Sequence, residues 1–218
     1  QQVVKAIEIG YGNGASGEMK TQAMAFLTEF VKSDESFSCF QGLMETPASD
    51  PLQAQKVVYG ATILHKKLMY KFALFSQDML RQIKEYIFKK INEFKGNGLI
   101  VKEMSMSIVA LALQDASWNN FMQTITTYIP VNMENIQLLI SIFSEIALAS
   151  EKMDLIEITM RERFINIITE VTPSVYDFII NVCQQSLSFV PSAMECLGAW
   201  MKQTKLAVDY YLNAPIIP

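Results

Sequence analysis

The sequence predicts an all-α protein built from paired helices, and three observations carry that prediction. Turn signals punctuate the chain at Gly10–Gly17, Ser33–Ser36, Thr46–Pro51, Ala73–Gln77, Lys95–Gly98, Asp115–Asn119, Pro130–Asn135 and Phe189–Ser192. Between them run segments of roughly 10 to 20 residues whose apolar positions recur at helical spacing. No period-two alternation persists and no β-hairpin turn is signalled, which argues against a sheet. Helices therefore arrive in pairs roughly every forty residues, the period of HEAT-type repeats. A helix pair cannot bury its apolar stripe alone, so the expected architecture is an α-α superhelix of about five stacked pairs, a shape that serves as a binding surface.

The elements follow in order. Val3–Ile9 is a short first element before a glycine-rich turn. Ser16 is placed to cap Met19–Val31, whose Ala23, Phe26, Leu27 and Phe30 form one stripe. Phe37–Met44 is its short successor, closed by Pro47. Asp50 and Pro51 restart the chain as a capping acid before proline at a first helical position, opening a helix to Tyr70. Ser76 caps Gln77–Phe94, with Leu80, Ile83, Ile87 and Ile91 along one side. Leu99–Leu113 is apolar nearly all round and is expected to be a buried inner helix. Trp118–Ile129 and Ile136–Ala149 form a fourth pair. Asp154–Cys183 is predicted to bend at Pro173, which removes a ladder N–H, and Ser192–Lys205 follows.

Composition excludes several classes. Half of the 218 residues are hydrophobic and only 18% are charged, which suits helices buried on two sides. No run reaches the roughly 18 uninterrupted apolar residues of a membrane span; Asn135–Ser150 is broken by Gln137, Ser141, Ser144 and Glu145. The net charge of −4 disfavours wholesale nucleic-acid binding. Charge is uneven, however: Lys66, Lys67, Lys71, Arg81, Lys84, Lys89, Lys90, Lys95 and Lys102 crowd one stretch. Beyond it Glu103, Asp115, Glu134, Glu145, Glu151, Asp154 and Glu157 face only Lys152, a solvated acidic face that would attract basic partners. Cys39, Cys183 and Cys196 share no metal spacing and read as reduced, buried thiols in a cytosolic or nuclear compartment. The start at Gln1 without a signal-peptide pattern, and the apolar run Tyr210–Pro218 with no helix after it, suggest a piece of a longer solenoid.

Catalytic chemistry is poorly supplied. Gly12-Asn13-Gly14-Ala15-Ser16-Gly17 is a literal GxGxxG, with Asp34 and Glu35 near the offset of a ribose-binding acid. That pattern means a dinucleotide site only inside a parallel sheet, and Lys5 and Glu8 sit awkwardly in a buried strand. The competing reading is a loop between two helices. His65, the only histidine, lies beside Lys66 and Lys67 and is expected in solvent. The acid pairs Glu151/Asp154 and Asp154/Glu157 fit a helix start. Trp118 and Trp200 fit packing between repeats, and the eight tyrosines and thirteen methionines are expected mostly in the core. No enzyme, no cofactor and no metal site is expected.

Several ordered patterns resemble the N-terminal region of the importin-β (karyopherin) family, most closely its transportin-SR branch. Ala6–Tyr11, Ser16-Gly17-Glu18 and Ala23-Met24-Ala25-Phe26-Leu27 are similar to the opening helices of that family. Tyr59-Gly60-Ala61-Thr62-Ile63-Leu64-His65-Lys66-Lys67-Leu68 resembles its "F-A-A-Q-T-L-K-x-K-I" helix, with Thr62 in place of the usual Gln and His65 in place of a Lys. Ile108–Trp118 resembles "I-A-x-L-A-L-Q-x-x-x-W". Arg161–Ile168 and Cys196-Leu197-Gly198-Ala199-Trp200 resemble its "R-R-x-x-I" and "C-L-G-S-W" segments.

The resemblance implies a HEAT-repeat array over 1–218, with an importin-β N-terminal-like region at about 16–95. It implies a nuclear transport receptor that shuttles between cytoplasm and nucleus through the pore and supports protein import. The second (B) helices of each pair would bind Ran-GTP, here about Glu18–Lys32, Pro51–Tyr70, Leu99–Gln114 and Asn135–Ser150. The contacts expected are Lys20, Thr21, Gln55, Thr62, Lys67, Glu103 and Ser107. FG-repeat nucleoporins would occupy outer grooves between first (A) helices, and serine/arginine-rich proteins would be the cargo class. The alternative is another HEAT or armadillo scaffold, such as a vesicle-coat adaptor or a phosphatase regulatory subunit, that ignores Ran; a dinucleotide-binding enzyme is the more distant one.

Overall fold

In a computed structural model of the chain, residues 1–149 and 156–204 are described. They are all-α: ten helices, with no strand among the described residues. The helices are α1 (Gln2–Tyr11), α2 (Gly17–Phe30), α3 (Phe37–Met44), α4 (Gln53–Tyr70), α5 (Gln77–Glu93), α6 (Gly98–Gln114), α7 (Phe121–Tyr128), α8 (Ile136–Ala149), α9 (Ile158–Gln185) and α10 (Val190–Thr204). They group into two compact units, Gln1–Ser107 and Ile108–Pro218, and the division falls within α6.

In the first unit, α1 packs on α2 and α3 on α4. The Ser16 hydroxyl accepts from Met19 N at 3.4 Å and Ser76 accepts from Met79 N at 3.3 Å, so both predicted caps form. The restart near Pro51 differs from expectation. Asp50 Oδ1 accepts from Leu52 N at 2.8 Å while Oδ2 holds Lys56 at 2.7 Å, so the acid caps a turn and the helix begins at Gln53. The core follows the predicted stripes of α4 and α5, with Val57, Ala61, Leu64 and Leu68 and with Ile87 and Ile91 fully buried, whereas in the α2 stripe Ala23 and Leu27 are buried but Phe26 is exposed and Phe30 half-buried. Gly60 is required by close approach: a Cβ there would lie 3.0 Å from Phe40 O and 3.1 Å from both Leu43 Cβ and Met44 Cγ. Lys90 is buried yet satisfied, donating to Glu45 and Glu93 at 3.0 Å each.

The glycine-rich motif is the loop between α1 and α2. The element before it is a helix, where a Rossmann unit needs a strand, and this overturns the dinucleotide reading. Gly12 ends α1 by donating N–H to Glu8 O at 2.9 Å, and a Cβ there would sit 2.3 Å from that same oxygen. Nothing lies within 4 Å of a Cβ built on Gly14 or Gly17.

In the second unit, α10 packs on both α8 and α9. Phe121 of α7 stacks on Phe164 of α9 at 5.6 Å, and Phe143 of α8 meets Phe178 of α9 edge-on at 5.4 Å. Trp200 is buried and donates Nε1–H to Phe143 O at 3.0 Å; Trp118 donates to Thr124 Oγ1 at 3.1 Å. Trp200 therefore packs between α10 and α8 as expected, while Trp118 packs on α7, the helix that follows it. Arg163 of α9 closes the C-terminus of α6, donating to the carbonyls of Ala112 and Leu113 and to Asn119 Oδ1. Helix α9 continues through Pro173, where Thr172 returns its hydroxyl to Ile168 O at 2.6 Å.

The expectation that methionine is mostly core is corrected. Met44, Met104 and Met122 are buried, but Met19, Met24, Met79, Met133, Met194 and Met201 are exposed. Tyrosine divides likewise, with Tyr176 buried and Tyr11, Tyr70 and Tyr128 exposed. The acid pairs Glu151/Asp154 and Asp154/Glu157, Lys152 and the run Tyr210–Pro218 lie wholly or partly outside the described residues.

Candidate functional site

In the first unit the B helices α2, α4 and α6 carry all seven residues singled out from the sequence. Polar contacts link these helices. Tyr59 of α4 donates its hydroxyl to Leu27 O of α2 at 2.6 Å, and burial pushes that phenol well above its usual range. His65 Nδ1 of α4 lies 3.5 Å from Glu103 Oε2 of α6, with side chains only 16% and 20% exposed. His65 is therefore packed against a carboxylate and not in solvent, which corrects the reading from its lysine neighbours. Neither Nδ1 nor Oε2 has a well-aligned hydrogen bond, so the pair retains polar capacity at the α4–α6 seam.

The seven residues separate by burial. Lys20, Gln55, Thr62 and Glu103 are half-buried and Thr21 is exposed. Thr21 and Thr62 return their hydroxyls to Gly17 O at 3.0 Å and Val58 O at 2.9 Å. Lys67 is only 3% exposed. Its ammonium donates to Ser33 O at 2.6 Å and lies 3.8 Å from Asp34 Oδ1, while burial lowers its pKa. Ser107 is fully buried and bonds Glu103 O at 3.1 Å. Glu103 is thus brought together with His65, whereas Lys67 and Ser107 are turned inward to hold their own helices. Helical spacing carries that signal: Lys67 lies three residues after Leu64, and Ser107 three after Met104, both buried.

Two features escaped the sequence reading. One is the His65–Glu103 contact, which joins residues on different helices. The other is a groove in the second unit, where a 440 Å³ hollow and a 330 Å³ hollow share Val131, Ser174 and Phe178 as walls. No group of three or more His, Cys, Asp or Glu side chains able to hold a metal ion occurs among the described residues. Burial pushes the Cys196 thiol up to about 11, which makes it an inert core residue. No helix among the described residues is long and apolar enough to cross a membrane.

Paired helices of this kind define a helical-repeat scaffold. Residues 97–218, more than half of the chain, match the exportin 1-like protein family. The chain belongs to that family, and with it to the karyopherin class of nuclear transport receptors. No curated protein matches the chain.

Proposed function

We propose that this chain is the N-terminal HEAT-repeat part of a nuclear transport receptor and that its first unit binds Ran in the GTP form, supporting protein import. The observation that carries the reading is the exportin 1-like match over residues 97–218. The resemblance to the transportin-SR branch adds the direction of transport and the serine/arginine-rich cargo class. Lys20, Thr21, Gln55, Thr62 and Glu103 supply the contact surface, because each retains exposed atoms on α2, α4 or α6. Lys67 and Ser107 support it from within: Lys67 ties the α2–α3 connection to α4, and Ser107 lies one turn from Glu103 on the same helix.

The mechanism is reciprocal binding without catalysis. Ran-GTP and cargo lower one another's affinity through a coupling free energy of about 1–3 kcal/mol, because each favours a different arrangement of the same array. FG-repeat nucleoporins on grooves between A helices carry the loaded receptor through the pore, so the protein shuttles between cytoplasm and nucleus. The test is a calorimetric titration with Ran bound to a non-hydrolysable GTP analogue and, in parallel, with Ran-GDP. Binding confined to the GTP form supports the proposal; equal binding of both forms points to a scaffold of another kind.

A further inference from the structure

The tripeptide Gly-Asn-Gly occurs twice in the chain, at Gly12–Gly14 and at Gly96–Gly98. An asparagine side-chain amide is open to attack by the next main-chain nitrogen when glycine follows, because glycine has no side chain to shield that nitrogen. The attack requires Cγ to reach the following nitrogen. The chain there must be free to turn, and the amide free to leave its hydrogen bonds. With the same residue on either side of both asparagines, local sequence gives the two copies matching reactivity, and the fold decides between them.

Asn97 stands just before α6, and its Oδ1 accepts the main-chain N–H of Leu99 and of Ile100 at 3.2 Å each. Its own N–H donates to Phe94 O at 2.8 Å, and its carbonyl accepts from Val101 N at 2.9 Å. This is an N-cap held at both side chain and main chain. Swinging Cγ onto Gly98 N would strip the acceptor from two donors at a helix start. Asn13 lies in the α1–α2 loop, where it is exposed and its side chain has no partner among the described residues. Gly14 has nothing within 4 Å of a Cβ position and does not occupy left-handed backbone. Among the described residues, no side-chain contact holds Asn13 against the turn that the reaction requires.

We infer that Asn13 is a site of spontaneous succinimide formation, and so of conversion to aspartate and isoaspartate, while Asn97 is protected by its capping role. Gly14 N attacks Asn13 Cγ. The new C–N bond closes the ring, the Cγ–Nδ2 bond breaks, and the proton of Gly14 N leaves with Nδ2 as ammonia. Water then opens the ring at one of its two carbonyls. One opening gives aspartate, the other an isoaspartate whose main chain runs through the former side chain. Either product adds a negative charge three residues before the Ser16 cap of α2. Negative charge near a helix N-terminus is favourable, so α2 stays folded. The open space at Gly14 accommodates the longer isoaspartyl backbone. Because the step consumes only water, the converted fraction rises with the age of the molecule.

The test is mass spectrometry of the full chain after incubation at physiological temperature and mildly alkaline pH, folded and in parallel in urea. Trypsin releases the two sites separately, in Ala6–Lys20 and Gly96–Lys102. Conversion is read as the mass gained when an amide NH2 becomes OH, and chromatography separates the two product isomers. In the folded chain Asn97 is expected to convert about five- to thirtyfold more slowly than Asn13, the factor that loss of an N-cap corresponds to. In urea the two rates should converge. Gly14→Val shields the attacking nitrogen, and its Cβ meets no neighbour, so the chain should keep its helical spectrum while conversion of Asn13 is suppressed. Equal rates at the two sites in the folded chain overturn the inference. So does an Asn13 that converts in urea but not in the folded chain, or one whose conversion Gly14→Val leaves unchanged.

Discussion

Arg163→Met is the substitution whose cost can be worked most directly from the structure. The last four carbonyls of an α-helix lack intrahelical partners. In α6 that set includes Leu111, Ala112 and Leu113, all buried. Leu111 O accepts Asp115 N at 2.8 Å, whereas the Arg163 guanidinium serves Ala112 and Leu113 and reaches Asn119 Oδ1 at 3.0 Å. Methionine keeps much of the stem's volume but leaves two buried carbonyls without that donor, at about 1–3 kcal/mol each. It also removes a cation from a helix C-terminus, about 0.3–1 kcal/mol. Against this stands relief from burying a charge, which already lowers the Arg163 pKa. The expected net loss is about 3 kcal/mol. Urea unfolding followed by circular dichroism measures it, and Arg163→Lys should recover part of the loss through its charge and remaining donors. A loss below about 1 kcal/mol in Arg163→Met would show that water replaces the guanidinium and would refute the reasoning.

The remaining predictions are shorter. Gly60→Ala places a methyl 3.0–3.1 Å from three atoms of α3, two of them in side chains, and should destabilise by about 1–3 kcal/mol in the same assay. Trp200→Phe removes the indole bond that Phe143 O accepts in addition to its own helix bond and empties part of a buried site, with an expected cost of about 1–3 kcal/mol. Glu45 has its pKa lowered, first by the hydrogen bond from Lys90 and also by Tyr86. A folded-state pKa below the unfolded one contributes stability above the unfolded carboxylate range, about pH 4.3, and that contribution is lost as pH falls through the folded value. Glu45→Gln should therefore flatten the acid side of the melting-temperature profile while leaving its neutral side with the weaker, constant loss of one ion pair.

The helices were legible because their signals are local. Ser16 and Ser76 cap where a hydroxyl precedes an apolar stripe, Phe37–Met44 matches α3 residue for residue, and Gly12 stops α1 through contact with its own preceding turn. Asp50 was harder, because its second oxygen is taken by Lys56 and the helix starts later than a capping acid before proline suggests. The candidate site was legible as a set of helices but not as a set of contacts. His65 meets Glu103 only after α4 and α6 are assembled, and its lysine neighbours in sequence point away from that outcome. Lys67 looked like a surface charge because it is a lysine, yet its position beside Leu64 and Leu68 places its stem in the core with the ammonium on Ser33 O. The α7–α9 groove depends on Val131 reaching toward Ser174 and Phe178, which no local pattern encodes.

The central claim is that the B helices of the first unit form the face that receives Ran-GTP. Hydrogen–deuterium exchange of the chain with and without Ran-GTP tests it most directly, read peptide by peptide. The account predicts slowed exchange in the segments carrying Lys20 and Thr21, Gln55 and Thr62, and Glu103, with Ran-GDP leaving them unchanged. Slowed exchange confined to α7–α10, with α2, α4 and α6 unaltered while Ran-GTP is bound, would contradict it.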